Sequence, residues 1–293
     1  MKALGILTSG GDAPGMNAAI YGACVVAHKY GIPCYGYIDG YEGLIDNHFD
    51  VLDLSRVKPH VNKGGTFLGT SRSERFKTNH VQEMVSKRLI EDDMGLIVIG
   101  GDGSFKGVQA LRHHGVRVIG VPATIDNDIE GTELTLGFQT AVRNVVDAVD
   151  IIMQSAQSHR HIYAIEVMGR GKGYIAQVAG QALMADGIIA ETEDFDINQV
   201  LEYIKTSHAL DHRYQLFMIA EGAMSAQAFK EAVESHSDYQ IHDLVLGHLQ
   251  RGGNPVAQDR IAGNRVGQKA AQILLDKQEG KKEFIPMNQM NIK

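Results

Sequence analysis

Six short segments carry residue types able to handle phosphate, protons or a metal ion. Thr8-Ser9-Gly10-Gly11-Asp12 and Gly100-Gly101-Asp102-Gly103-Ser104 are glycine-rich. Glycine lets backbone N–H groups close on oxygens, and a helix N-terminus after such a loop favours negative charge. Each loop alone is equally an ordinary tight turn. Neither fits GxxxxGK[ST], and Gly10…Gly15 is not a GxGxxG. Thr124-Ile125-Asp126-Asn127-Asp128 sets two carboxylates two residues apart. One can orient or deprotonate a hydroxyl while the other serves a metal ion, with Asp102 as a further metal candidate. Mg²⁺ typically takes one or two carboxylates plus phosphates and water. An Asx turn would also explain the pair. Met168-Gly169-Arg170-Gly171, Glu221-Gly222 and Gly247-His248-Leu249-Gln250-Arg251-Gly252-Gly253 complete the set. Arg72, Arg170 and Arg251 near glycines suit a bidentate grip on phosphate, although surface arginines are commonly just solvated. His159-Arg160-His161 has no HExxH pattern or cysteine partner, which argues against zinc. His113-His114 reads as a helix end.

The elements that must position these loops alternate between strand-like and helix-like. Apolar runs at Ala3–Leu7, Cys34–Ile38, Gly95–Ile99, Val116–Val121, Ile162–Val167, Tyr214–Ala220 and Leu244–Leu246 read as strands. Met16–Ala27, Val81–Leu89, Val108–His113, Ala141–Gln154, Ile175–Met184 and Ile261–Leu275 read as helices. Continuous apolar strands between helices predict mostly parallel sheets covered on both faces, an α/β class. In such folds ligands sit at the carboxyl ends of strands, where all six segments fall.

The bulk numbers narrow the field. The chain has 293 residues, 44% hydrophobic and 22% charged, which excludes a disordered or fibrous class. A net charge of −7 argues against nucleic-acid and anionic-membrane partners. No apolar run approaches the ~18 residues of a membrane helix. MKALGILTSGGD reads as a first strand rather than a leader. Cys24 and Cys34 form no CxxC pair, and two free thiols suit a reducing cytoplasm.

Taken in order, TSGGDAPGMN, GGTFLGTSR, IGGDGS, ATIDND, EVMGRGKG, AEG and LGHLQRGG resemble the phosphofructokinase family of the bacterial ATP-dependent type, from Met1 to about Leu275. The resemblance implies two Rossmann-like α/β/α domains. Residues 1–137 plus 251–293 would bind ATP, and 138–250 the sugar phosphate. It implies transfer of the ATP γ-phosphoryl group to the C1 hydroxyl of fructose 6-phosphate, with Mg²⁺, by a cytoplasmic homo-oligomer, tetramer or dimer. Carried over by motif, Asp126 is the base and Asp102 and Asp128 serve the metal region. Gly11, Arg72 and Thr124 lie by the transferring group. Tyr41, Phe76, Lys77, Gly101, Gly103, Ser104 and Gly107 border the nucleotide. Met168, Gly169, Arg170, Glu221, His248 and Arg251 line the sugar, with Thr124, Asp126 and Asp128 also on the substrate side. Arg170 is similar to the family's transition-state cation. Pyrophosphate-using relatives tend to carry Asp at the position of Gly103 and Lys at that of Ala123, so ATP is the expected donor.

The chain also departs from the family. Two arginines that grip the sugar's distal phosphate across a subunit interface are here His161 and His242. Two hydrogen bonds to a charged group come to about 3–6 kcal/mol, or about 10²–10⁴ in affinity. Positions of the family's basic effector pocket for ADP and phosphoenolpyruvate are Tyr21, Val25, Leu54, Met153, Leu210 and His212, with Asp186 keeping an acid, so standard effector control is not expected. The chain also stops about one segment earlier than the family pattern. The departures leave two other readings: a kinase for another sugar or polyol, and a weakly active regulatory paralogue.

Overall fold

The computed structural model describes residues 1–159, 161–210 and 214–276. His212 and Arg160 lie outside them. The chain divides into two compact units, one of Met1–Gln139 with the return segment from Arg251 on, the other of Thr140–Gln250.

The first unit runs β1 (Ala3–Ser9), α1 (Met16–Lys29), β2 (Cys34–Tyr37), α2 (Tyr41–Asp46), β3 (Phe49–Leu52), α3 (Leu54–Val57), α4 (Asn79–Glu91), β4 (Met94–Gly100), α5 (Asp102–His113), β5 (Val118–Thr124) and β6 (Leu136–Gly137). α6 (Phe138–His159) leads into the second unit, which holds β7 (Ile162–Val167), α7 (Tyr174–Ala182), β8 (Gly187–Ile189), α8 (Ile197–Ala209), β9 (Gln215–Ala220), α9 (Ala226–His236) and β10 (Ile241–Val245). α10 (Ala257–Leu275) belongs to the first unit again.

The first sheet has the order β3-β2-β1-β4-β5-β6, parallel except that β3 runs antiparallel to β2. β1, β4 and β5 are wholly buried, as expected for central strands sandwiched between helices. On β4 the residues alternate by face: Met94, Leu96 and Val98 join Leu89, Val108 and Leu111 in one core, while Gly95 faces Leu274 of α10. α1 and α10 pack closely on that second side. A Cβ on Gly22 would stand 2.0 Å from the Asn264 carbonyl, and one on Gly267 1.9 Å from that of Ala19. The glycines outside the motif loops thus include ones that bring two helix backbones together.

The second sheet has the order β10-β7-β9-β8, all parallel. Ile162, Ala164, Phe217, Ile219 and Ile241 pack with Ile204 of α8 and Phe229 and Val233 of α9. α7 covers the opposite face, where a Cβ on Gly180 would meet Ile188 and Met218.

α5 begins at Asp102 rather than at Val108 as the apolar pattern predicts. The glycine-rich start costs helix propensity, but it is offset by packing: the Tyr41 ring lies against Gly107 and its hydroxyl donates to the Ser104 carbonyl at 2.8 Å.

Candidate active site

Register sets the geometry of the first unit. Ser9 pairs with Gly100, Gly100 with Pro122, and Thr124 with Gly137. The loops after β1, β4 and β5 therefore leave the sheet along one edge. Their order places the reversal of winding between β1 and β4, the point where open α/β sheets bind ligands. The Ser104 hydroxyl donates to the Ser9 carbonyl at 3.0 Å and ties the two glycine loops together.

Gly10 and Gly15 hold φ of 84° and 103°, values that exclude most side chains. The Arg251 guanidinium lies over Gly11, where a Cβ would stand 2.6 Å from Nη1, and Nη1 donates to the Asp12 carbonyl at 3.3 Å. Arg251, expected to line the sugar, thus belongs to the first unit and covers its first loop. The segment Gly64–Arg72 is pinned from several sides. Asn17 donates to the Lys63 carbonyl and accepts from the Phe67 amide, the Thr8 hydroxyl donates to the Gly69 carbonyl, and that of Thr70 to the Gly10 carbonyl. Arg72 at the end of this segment is exposed.

The expected nucleotide residues divide in two. Gly101, Asp102 and Gly103 open α5. Asp102 is exposed with Lys106 3.7 Å away, and a Cβ on Gly103 would meet nothing within 4 Å. Tyr41 and Phe76 instead stack on each other at 4.2 Å and are buried. They form a floor beneath α5, and burial pushes the Tyr41 phenol well above its ordinary range. Lys77 is exposed and pairs with Glu74.

Asp126 is 1% exposed. Thr124 Oγ1 donates to its Oδ2 at 3.2 Å and accepts from its backbone amide at 3.2 Å. Asn127 sits at φ 53° and braces the loop by accepting from the Thr135 amide and donating to the Glu133 carbonyl. The two-residue spacing to Asp128 is therefore a built turn, with Asp126 inward and Asp128 half-buried.

In the second unit, β7, β9 and β10 end side by side, with Val167 opposite Ala220 and Glu166 opposite Val245. Arg170 takes φ 50°, uncommon for a side-chain-bearing residue and worth roughly 1–3 kcal/mol of strain. Its amide donates to Glu221 Oε1 at 3.3 Å, and Gly222 is required beneath it, since a Cβ there would lie 1.9 Å from the Arg170 carbonyl. The Met168 amide donates to Oε1 of the buried Gln250, whose Nε2 donates to the Gly247 carbonyl. Gly169 holds φ 137°, and the His248 side chain is exposed. His161 and His242 come together with ring centroids 4.0 Å apart, and Tyr163 flanks them. The sequence placed these two histidines far apart; parallel pairing of β7 with β10 unites them.

A profile of the family Phosphofructokinase matches residues 3–274. The chain belongs to this family. Among curated relatives of this phosphofructokinase, the ATP-dependent 6-phosphofructokinase of Oceanobacillus iheyensis is 41% identical over 289 residues, covering 98% of this chain and 91% of the relative. That of Halalkalibacterium halodurans is 43% identical over 284 residues, covering 96% and 88%. Phosphofructokinase from Saccharomyces cerevisiae superposes with a TM-score of 0.91 at 28% identity over 98% of this chain, which spans 43% of the yeast chain. A pyrophosphate-dependent phosphofructokinase from Marinobacter aquaeolei, at 23% identity and TM-score 0.76, shares the fold.

Among the residues expected to match the family's effector pocket, Met153 is buried and Leu210 exposed, while Tyr21, Val25 and Leu54 are partly covered. Asp186 is engaged structurally, since its carboxylate accepts from the Tyr203 hydroxyl at 2.8 Å and the Leu216 amide at 2.7 Å. Two positioning residues escape a reading by charge and glycine, Asn17 and Gln250. Their one signal in the sequence is a neutral amide placed inside TSGGDAPGMN and GHLQRGG.

Proposed function

We propose that the protein is an ATP-dependent 6-phosphofructokinase that transfers the γ-phosphoryl group of ATP to the C1 hydroxyl of fructose 6-phosphate. The observation that supports this most strongly is the buried Asp126 beside Thr124, at the end of a strand aligned with two glycine loops. Asp126 accepts the C1 hydroxyl proton as the hydroxyl oxygen attacks phosphorus. Thr124 orients the carboxylate, and Gly11, Arg72 and the amides opening α5 cradle the phosphates. Arg170 carries positive charge toward the transferring group, in keeping with the electrostatic character of phosphoryl transfer. Met168, Gly169, Glu221, His248 and Arg251 serve the sugar, while His161 and His242, at the starts of β7 and β10 and so at the opposite end of that sheet, reach the distal phosphate of a sugar held by a neighbouring copy across the subunit interface.

Mg²⁺ suits the donor set: Asp102 and Asp128 offer hard carboxylate oxygens that solvent reaches. With Mg²⁺ held there beside the nucleotide, these carboxylates would help it neutralise phosphate charge. ATP is favoured as donor because Gly103 opens onto free space and position 123 carries Ala rather than the lysine that the resemblance associates with pyrophosphate use. The same reading places the enzyme in the cytoplasm, as a homo-oligomer.

A second reading has its own observation. The exposed His242 and its neighbour His161 offer no permanent charge, which fits an acceptor sugar or polyol without a distal phosphate. Measuring ADP release with ATP or pyrophosphate against a panel of sugars, polyols and sugar phosphates at two pH values decides. Fructose 6-phosphate as the preferred acceptor and ATP as the donor supports the first reading. Preference for an unphosphorylated acceptor installs the second, and no acceptor-dependent turnover sinks both.

A further inference from the structure

Cys24 and Cys34 take no part in the site, and neither belongs to a recognisable redox motif. The fold nevertheless brings their sulfurs to 3.5 Å. The cause is local. α1 ends at Lys29, the exposed Tyr30 and Gly31 turn the chain, Gly31 at φ 64°, and β2 starts at Cys34. Helix and strand then run back along one another, and Cys24 shares the covered side of α1 with Ile20 and Ala27, at spacings of four and three residues. Both thiols are buried, at 2% and 4% exposure. The full chain contains two cysteines, so each has one possible intramolecular partner.

We propose that Cys24 and Cys34 form a reversible oxidation site, closing to a disulfide under a small peroxide. A disulfide has S–S near 2.05 Å, so the sulfurs must approach by ~1.5 Å, within reach of side-chain rotation combined with a small shift of the turn. The contact with Cys24 and burial push the Cys34 thiol up, which disfavours its thiolate as the first nucleophile. Cys24 Sγ attacks one peroxide oxygen, the O–O bond breaks, and hydroxide leaves as water with the thiol proton. Cys34 Sγ then attacks the resulting sulfenic sulfur. The S–S bond forms, the S–O bond breaks, and a second water leaves with the Cys34 proton. Two thiols and one hydrogen peroxide give one disulfide and two waters. A thiol reductant reverses the change.

The modification lies away from the chemistry. Cys24 is eight residues along α1 from Met16, about 12 Å of helix at 1.5 Å per residue. Cross-linking α1 to β2 therefore changes stability rather than turnover, since the closed loop restricts the unfolded chain.

The test uses the full-length protein, reduced and then exposed to a few equivalents of hydrogen peroxide, with free thiols counted by maleimide-polyethylene glycol shift after denaturation. Two adducts before oxidation, none after, and two again after dithiothreitol are expected, with a 24–34 cross-linked peptide by mass spectrometry. The melting temperature should rise by several degrees in the oxidised form. Cys24→Ser and Cys34→Ser should each abolish that rise, and the oxidised wild type should keep kcat within twofold. Repeating the oxidation in sub-denaturing urea guards against slow access. Two labelled thiols persisting there, or oxidation to sulfinic acid with no 24–34 peptide, overturns the proposal.

Discussion

The two units approach phosphate chemistry with different materials. In the first unit the candidate contacts are largely backbone: glycine loops after β1 and β4, locked by Ser104 and by the Asn17 clamp. In the second they are largely exposed side chains of a four-stranded sheet, with Arg170 and His248 in the loops after β7 and β10 and His242 near the start of β10. Backbone contacts are fixed by φ, register and close packing, so a single substitution rarely rewrites them without harming the fold. Side chains on an edge strand such as β10 change freely. The departures from the family pattern fall where this difference would put them: the proposed transfer groups stand intact, and the distal-phosphate positions have become histidines.

The sharpest way to break the comparison is at its centre. Asp126→Ala should lower kcat by ~10²–10⁴, the range for a lost general base, while ATP affinity measured by calorimetry stays nearly unchanged. Turnover close to wild type would end the assignment. Next in size, His161→Arg combined with His242→Arg should reduce KM for fructose 6-phosphate, by up to about 10²-fold, with kcat little altered. A KM for fructose 6-phosphate unmoved by the two arginines speaks for an acceptor without the distal phosphate.

Two smaller effects probe the scaffold. Gly267→Ala forces a methyl group onto the Ala19 carbonyl and should cost about 1–3 kcal/mol of stability by overpacking, read by denaturant titration. Asp93, at the opposite end of the first sheet from the loops, is held below the usual carboxylate range by the N-terminal ammonium and Arg117. Its contribution is present above the unfolded carboxyl value near ~3.9 and is lost as pH falls through the lower folded one. Asp93→Asn keeps the left-handed backbone that Asn tolerates (φ 51° here). It should produce the smallest drop in melting temperature at neutral pH, and none once the pH has fallen below the lowered folded value.

The candidate site loops are legible because such a site concentrates rare residue types at strand ends, and sixteen of the 33 glycines sit in the motif segments. The central strands were legible as continuous apolar runs. β3, β6 and β8 are too short for such runs, from two to four residues. α8 and α9 show the core only narrow stripes, such as Ile197, Val200, Leu201 and Ile204, so an apolar-run reading passes over them. Relations across the chain were least legible. Arg251 over Gly11, Asp259 accepting from the Gly137 amide at 3.1 Å, and the Cys24–Cys34 contact each arise from packing that no local pattern encodes.

The late return of α10 has a consequence for how the protein is made. α1 is synthesised early, yet the helix that packs against it, reaching Gly15, Ala18 and Ala19 through Gly263 and Gly267, emerges more than two hundred residues later. On the ribosome the inserted unit can complete its own sheet while the first sheet still has a bare apolar face under α10. Such delayed, long-range closure slows folding and exposes aggregation-prone surface. Chaperone dependence of the nascent chain should therefore end with synthesis of the segment 257–275.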